Sequence, residues 1–141
     1  MINYTKSKIG VYYFFVFTLI IGIVSCGKGV GNNQTPAEEP IVFSISPDPT
    51  SAIFPAIGTS QDFAFSITSK MPTSGFKIEL VLTKDIDGSS VFSQSLTSSI
   101  PNLTISYQNL SSGIVCSGII KVTSLTTLTN SSSKTFKIAK K

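Results

Sequence analysis

Few residues in this chain have types suited to chemistry, and they are far apart. Two cysteines are present, Cys26 and Cys116, and there is no histidine or tryptophan. The seven acidic residues are dispersed, and the only close pair after Glu38-Glu39 is Asp85 and Asp87. General acid–base catalysis at neutral pH most often uses histidine, or carboxylates tuned by burial. Reactive thiols need a neighbouring base or cation to lower their pKa. The many serines lack a positioned base, so no nucleophile–base constellation emerges. No catalytic residue is assigned, and neither a cofactor nor a metal ligand is expected. Asp85-Ile86-Asp87-Gly88 has the opening of a calcium loop, but a twelve-residue loop needs a bidentate acid at its end, where Leu96 stands. A tight turn accounts for the same four residues, because Asp and Gly supply its backbone geometry. Cys116 alternates with Ile114 and Ile120, which puts it on an apolar face as a packing residue.

Cys26 has a different context. It closes Ile23-Val24-Ser25-Cys26, and Lys6 and Lys8 precede the uncharged run Ile9 to Val24. This is the order of a positive n-region and an apolar h-region. The tetrapeptide resembles the lipobox of bacterial lipoprotein signal peptides. That resemblance implies acylation at the Cys26 thiol, cleavage directly before it, and residues 1–25 as the signal peptide. Two alternatives remain: an uncleaved membrane anchor with Cys26 an ordinary boundary cysteine, and a cleaved signal without lipid. A spanning helix needs roughly 20 apolar residues to cross about 30 Å. The run falls short of that, and Gly27-Lys28-Gly29-Val30-Gly31-Asn32-Asn33 does not continue a helix. Two or three acyl chains anchor a protein stably where one holds only marginally.

Residues 26–39 read as the lipidated cysteine and a flexible tether, with a reach of roughly 20 Å. The formal charge of +4 falls when Lys6 and Lys8 leave with the signal. The remaining charges are scattered, with no basic stripe interleaved with aromatic residues, so a nucleic-acid partner is not expected. Asn102, Asn109 and Asn130 each begin a glycosylation-type triplet, which chance supplies readily in a Ser/Thr-rich chain.

From Pro40 the apolar period becomes two, broken by turn residues about every ten positions. Strands are expected at Ile41–Ile45, Phe63–Ile67, Phe76–Thr83, Val91–Leu96, Leu103–Tyr107, Ile114–Val122 and around Phe136–Ile138, with Thr126–Ser133 as a polar connection. Inward faces are assigned to Phe63, Phe65, Phe76, Tyr107 and Phe136, while Phe54 and Phe92 are left open. The expected fold is all-β: an antiparallel seven-stranded sandwich over residues 40–141. With Cys26 carrying lipid, Cys116 has no partner, so this fold does not depend on a disulfide.

The run from Asn109 to Ser124 resembles the sixth strand of immunoglobulin-like and fibronectin type III-like modules, together with the corner before it. The likeness extends loosely over residues 40–141. It departs in three ways: no cysteine on the second strand to pair with Cys116, no tryptophan on the third, and Ile114 where the corner tyrosine stands. Signal, tether and sandwich together are similar to small cell-surface lipoproteins of Gram-negative bacteria. That likeness implies an outer-membrane protein held by lipid on Cys26, since Gly27 replaces the aspartate that marks inner-membrane retention. It leaves open whether the periplasmic face or the cell surface is occupied. The function expected is a non-catalytic structural or protein-interaction module with an envelope or cell-surface partner. The alternative is a glycan- or small-ligand-binding surface lipoprotein, which exposed aromatic side chains would favour.

Overall fold

The clearest period in the chain, Phe76 to Thr83, forms a strand in which Phe76, Ile78, Leu80 and Leu82 are fully buried and the residues between them half-buried. Successive side chains of a strand point to opposite faces, so this alternation places one face on a core. The computed structural model describes residues 37–49 and 52–141. Among them are eight strands: β1 (Phe43–Ser46), β2 (Phe54–Ala56), β3 (Gln61–Ile67), β4 (Phe76–Lys84), β5 (Ser90–Ser98), β6 (Asn102–Tyr107), β7 (Val115–Ser124) and β8 (Ser131–Lys140). No helix occurs among the described residues.

The strands form a three-stranded sheet, β1-β3-β6, and a five-stranded sheet, β2-β8-β7-β4-β5. Their buried faces share one apolar core. The domain is therefore a β-sandwich. Strand β7 lies at the centre of the larger sheet, pairing β4 on one side and β8 on the other.

Two features depart from the expected seven antiparallel strands. β2 is additional to that set, and it pairs in parallel with β8, Phe54 opposite Ile138 and Ala56 opposite Lys140. Three residues carry too little alternation to read, and Pro55 argues against a strand unless it lies on an edge, which is where β2 lies. β8 also begins five residues before Phe136, at Ser131, inside the stretch expected to be a loop. Its polar first half is held by the register with β7, Thr123 opposite Ser131 and Lys121 opposite Ser133. Along this half Lys134 places its Nζ 5.8 Å from the centroid of Phe43, closing the core edge with a cation over a ring face.

Aromatic rings from both sheets meet in the core. Phe63 of β3, Tyr107 of β6 and Phe136 of β8 are in mutual contact, with centroids 5.6–6.3 Å apart and steep interplanar angles. Such edge-to-face geometry sets the positive ring edge on the negative face. Phe54 and Phe92 add to this group from β2 and β5. The Tyr107 hydroxyl donates to the Ile119 carbonyl of β7 at 2.6 Å, so a fully buried phenol from one sheet is satisfied by the backbone of the other. Gly118 opposes Phe136 in the β7–β8 register. A Cβ at position 118 would lie 2.7 Å from the Phe136 ring, so the absent side chain is the space the ring fills.

Gly118→Ala is expected to cost roughly 1–3 kcal/mol by overpacking this contact. Tyr107→Phe should cost about 1 kcal/mol, the net worth of a typical hydrogen bond. Urea unfolding measures both, and a Gly118→Ala variant as stable as its parent would mean the ring does not lie over this position.

Candidate functional site

Cys26, the one residue assigned a chemical role from the sequence, lies outside the described residues. The other chemically capable groups are on the sandwich, and tertiary structure separates them into two polar clusters and one buried thiol.

The first cluster gathers on the outer face of the five-stranded sheet. β7 and β8 set Ser117 opposite Lys137, and the turn after β4 brings Asp85 to them. Lys137 Nζ donates to Asp85 Oδ1 and, at 2.8 Å, to Ser117 Oγ, while Ser117 Oγ donates to the same carboxylate oxygen at 2.6 Å. The Lys137 ammonium, with Ser117 second, holds the Asp85 carboxyl below the usual carboxylate range. A serine beside a lysine has the outline of a nucleophile and its base. Here Lys137 Nζ donates to Ser117 Oγ, and Ser117 donates in turn to Asp85, so the hydrogen-bond pattern does not set the amine as an acceptor from the hydroxyl. This arrangement clips the turn to the sheet.

Asp87 does not join it. Its Oδ1 accepts from the Ser89 backbone N–H at 2.9 Å, which is the main cause of its lowered pKa, and Gly88 adopts a φ of 69°. Asp85-Ile86-Asp87-Gly88 thus turns β4 into β5, with its two carboxylates used in separate contacts. Among the described residues no three of His, Cys, Asp or Glu gather where they could hold a metal ion.

Cys116 is a free thiol, 1% exposed, on the core face of β7. Burial pushes its pKa up, and the negative charge of Asp85 adds to the rise. A nucleophilic thiol needs the opposite shift.

The second cluster lies where the described chain enters the sandwich. Asn130 Nδ2 donates to Glu38 Oε2 at 3.0 Å and to the Glu39 carbonyl at 2.9 Å, and its Oδ1 accepts from the Ile41 N–H. Ser124, fully buried, donates to Glu38 Oε1 at 2.9 Å and accepts from the N–H groups of Thr126 and Thr127. Asn130 is the largest cause of the lowered Glu38 pKa, with Ser124 and Thr127 assisting against desolvation. Among the described residues, Glu38 is thus bonded to the sandwich. Nothing local signals this, because the partners are 86 and 92 residues away in sequence. Asn109, which the sequence offers only as a triplet match, takes a φ of 65° and donates to the Val91 carbonyl at 3.3 Å.

The eight described aromatic rings are all buried or half-buried, including Phe54 and Phe92, which pack against the core. Among the described residues the large exposed hydrophobic side chains are aliphatic. Val42, Ile100, Leu125 and Leu128 gather at the end where Glu38 enters, beside the turns at 68–75, 99–101 and 125–130. Ile57, 90% exposed, and Ile86, 87% exposed, project from the turns at the opposite end. A shallow open cleft of about 240 Å³ near the entry end is lined by Ser74, Thr97, Ser98, Ser99 and Leu125. Small-ligand pockets are typically larger and more enclosed, at roughly 300–1,000 Å³. Neither a protein-family model nor a curated protein sequence matches this chain.

Glu38 and Asp85 both have depressed folded-state pKa values, so each contributes stability above its unfolded pKa and loses it as pH falls through its folded value. The double variant Glu38→Gln, Asp85→Asn is expected to be less stable than the parent at about pH 7. The gap should close toward about pH 3, as followed by urea midpoints across the range. A constant gap would mean that neither carboxylate is engaged.

Proposed function

We propose that this chain is an envelope lipoprotein, anchored in the outer membrane by acyl groups on Cys26. Its immunoglobulin-like sandwich then serves as a non-catalytic protein-interaction module. The lipid reading rests on Lys6, Lys8, the apolar run to Val24 and the Ile23-Val24-Ser25-Cys26 motif. The strand order supports the immunoglobulin-like reading. β1-β3-β6 faces a sheet whose central β7 is flanked by β4 and β8, with β5 added beside β4 as in variable-type domains.

The observation that carries the interaction reading is where the side chains are used. The aromatic rings build the core, the Asp85 and Glu38 clusters tie the fold together, and the burial of Cys116 suppresses its thiolate. The outward strand positions carry Ser and Thr together with Lys77, Glu79, Ile119, Lys121 and Lys137, and single aliphatic residues stand at the turns, material for recognition by contact. A glycan-binding surface would use aromatic platforms, and the described rings are packed against the core. The partner is accordingly an envelope or cell-surface protein.

In a Gram-negative host supplied with radiolabelled palmitate, the parent chain is expected to incorporate label and fractionate with membranes. Cys26→Ala should lose both. Equal labelling of the variant would end the lipoprotein reading.

A further inference from the structure

The outer edge of β5 is the long unpaired edge of this fold, although near its start the Val91 carbonyl accepts from the Asn109 amide at 3.3 Å. Among the described residues no strand pairs with it, whereas the opposite edge of the same sheet is the three-residue β2 with Pro55. Edge strands are ordinarily defended by charges, proline, bulges or short length, because their unpaired N–H and C=O groups recruit other strands. β5 runs nine residues, Ser90–Ser98, with no charge and no proline. Its one irregularity falls near its start, at the Leu82/Thr83 step of β4, leaving the ladder regular from Phe92 onward.

The sequence around this edge reads nearly the same in both directions. About Gln94 as centre, Ser93 mirrors Ser95, Phe92 mirrors Leu96, Val91 mirrors Thr97, Ser90 mirrors Ser98 and Ser89 mirrors Ser99. A two-fold axis through antiparallel strands places each residue opposite its mirror, as an isologous interface requires. Phe92, Gln94 and Leu96 are the core-side residues of β5, opposite the buried Leu82, Leu80 and Ile78. Five strands face three, so β5 overhangs the smaller sheet, and Gln94 is exposed although its neighbours across β4 are buried.

We infer that the β5 edge pairs with the β5 edge of a second copy of this chain, antiparallel and centred on Gln94. The two five-stranded sheets then become one continuous sheet across the axis. On the overhung face each half-buried Phe92 lies beside the partner's Leu96, the aromatic–aliphatic cross-strand contact that stabilises sheets. The two Gln94 amides meet at the axis, each able to donate to and accept from the other. Charge permits the pairing: the strand is neutral, and the nearest charges on β4, Lys77 and Glu79, are bridged to each other at 2.8 Å. A single pair of strands buries less than the roughly 1,200 Å² of a standard interface, so the association is weak and depends on local concentration. Anchorage of many copies in one leaflet, as in the lipoprotein reading, supplies that concentration, but the self-complementary edge belongs to the sandwich alone.

The test is disulfide mapping on the full chain in mild detergent at high concentration, under gentle oxidation. Residues opposite each other in an antiparallel pair have Cα atoms about 4.5–5.5 Å apart, within disulfide range. Gln94 is exposed, so Gln94→Cys leaves the monomer fold intact. It is expected to give disulfide-linked dimer several-fold above the parent chain and above the exposed control Thr129→Cys. Ser93→Cys chains should crosslink to Ser95→Cys chains when mixed, and neither to itself. Dimer from Gln94→Cys no greater than from the control would overturn the inference, as would self-crosslinking of Ser93→Cys equal to that of Gln94→Cys. Because dimer formation is scored without reference to fatty-acid labelling, failure here and failure of the Cys26 reading are separately visible.

Discussion

The contact between the two sheets at Phe63, Tyr107 and Phe136 is the constraint on which the rest of this structure depends. Three large rings from three strands can meet edge to face only if the backbone beneath them comes close, and Gly118 gives Phe136 that space. The Tyr107 hydroxyl then reaches across to the Ile119 carbonyl, fixing the register of one sheet over the other with a directional bond. Apolar burial is non-directional and would tolerate sliding. The phenol and the missing Cβ at Gly118 do not. Everything outside the core, from the Asp85 clip to the Glu38 clasp, is positioned by strands that this contact holds in place.

The same economy of side chains shapes the surface. The chain contains no histidine or tryptophan, and 13% of its residues are charged. Several polar side chains pin turns: Asp85 with Ser117 and Lys137, Asp87 with Ser89, Asn130 with the entering chain at Glu38 and Glu39. The outward positions of the strands mix serine and threonine with Lys77, Glu79, Ile119, Lys121 and Lys137. An uncharged nine-residue edge is unusual in a fold that must avoid unwanted pairing, and it gives the interaction-module reading a specific place on the molecule.

How much could be read beforehand varies from element to element. β4 was legible because its four buried residues alternate without interruption, and Cys116 because it shares the apolar face of β7. The inward placement of Phe63, Phe65, Phe76, Tyr107 and Phe136 follows from the same period of two. β2 was not legible: three residues with a central proline contain no period, and its parallel pairing with β8 comes from a residue range far along the chain. The polar first half of β8 was hidden for a related reason, since its strand character derives from β7 and not from its own side chains.

The sequence by itself determined that the described chain is built of strands, that Phe63, Phe65, Phe76, Tyr107 and Phe136 face its core, and that Cys116 packs within it. These follow from alternation, a local property that survives without knowledge of neighbours. Only the tertiary structure decided that Glu38 is tied to Asn130 and Ser124, that Asp85 and Asp87 part company, and that β5 ends the larger sheet with its edge bare. Each of those depends on which distant segments are brought together, and pairing between strands is set by the whole packed core rather than by any window of residues.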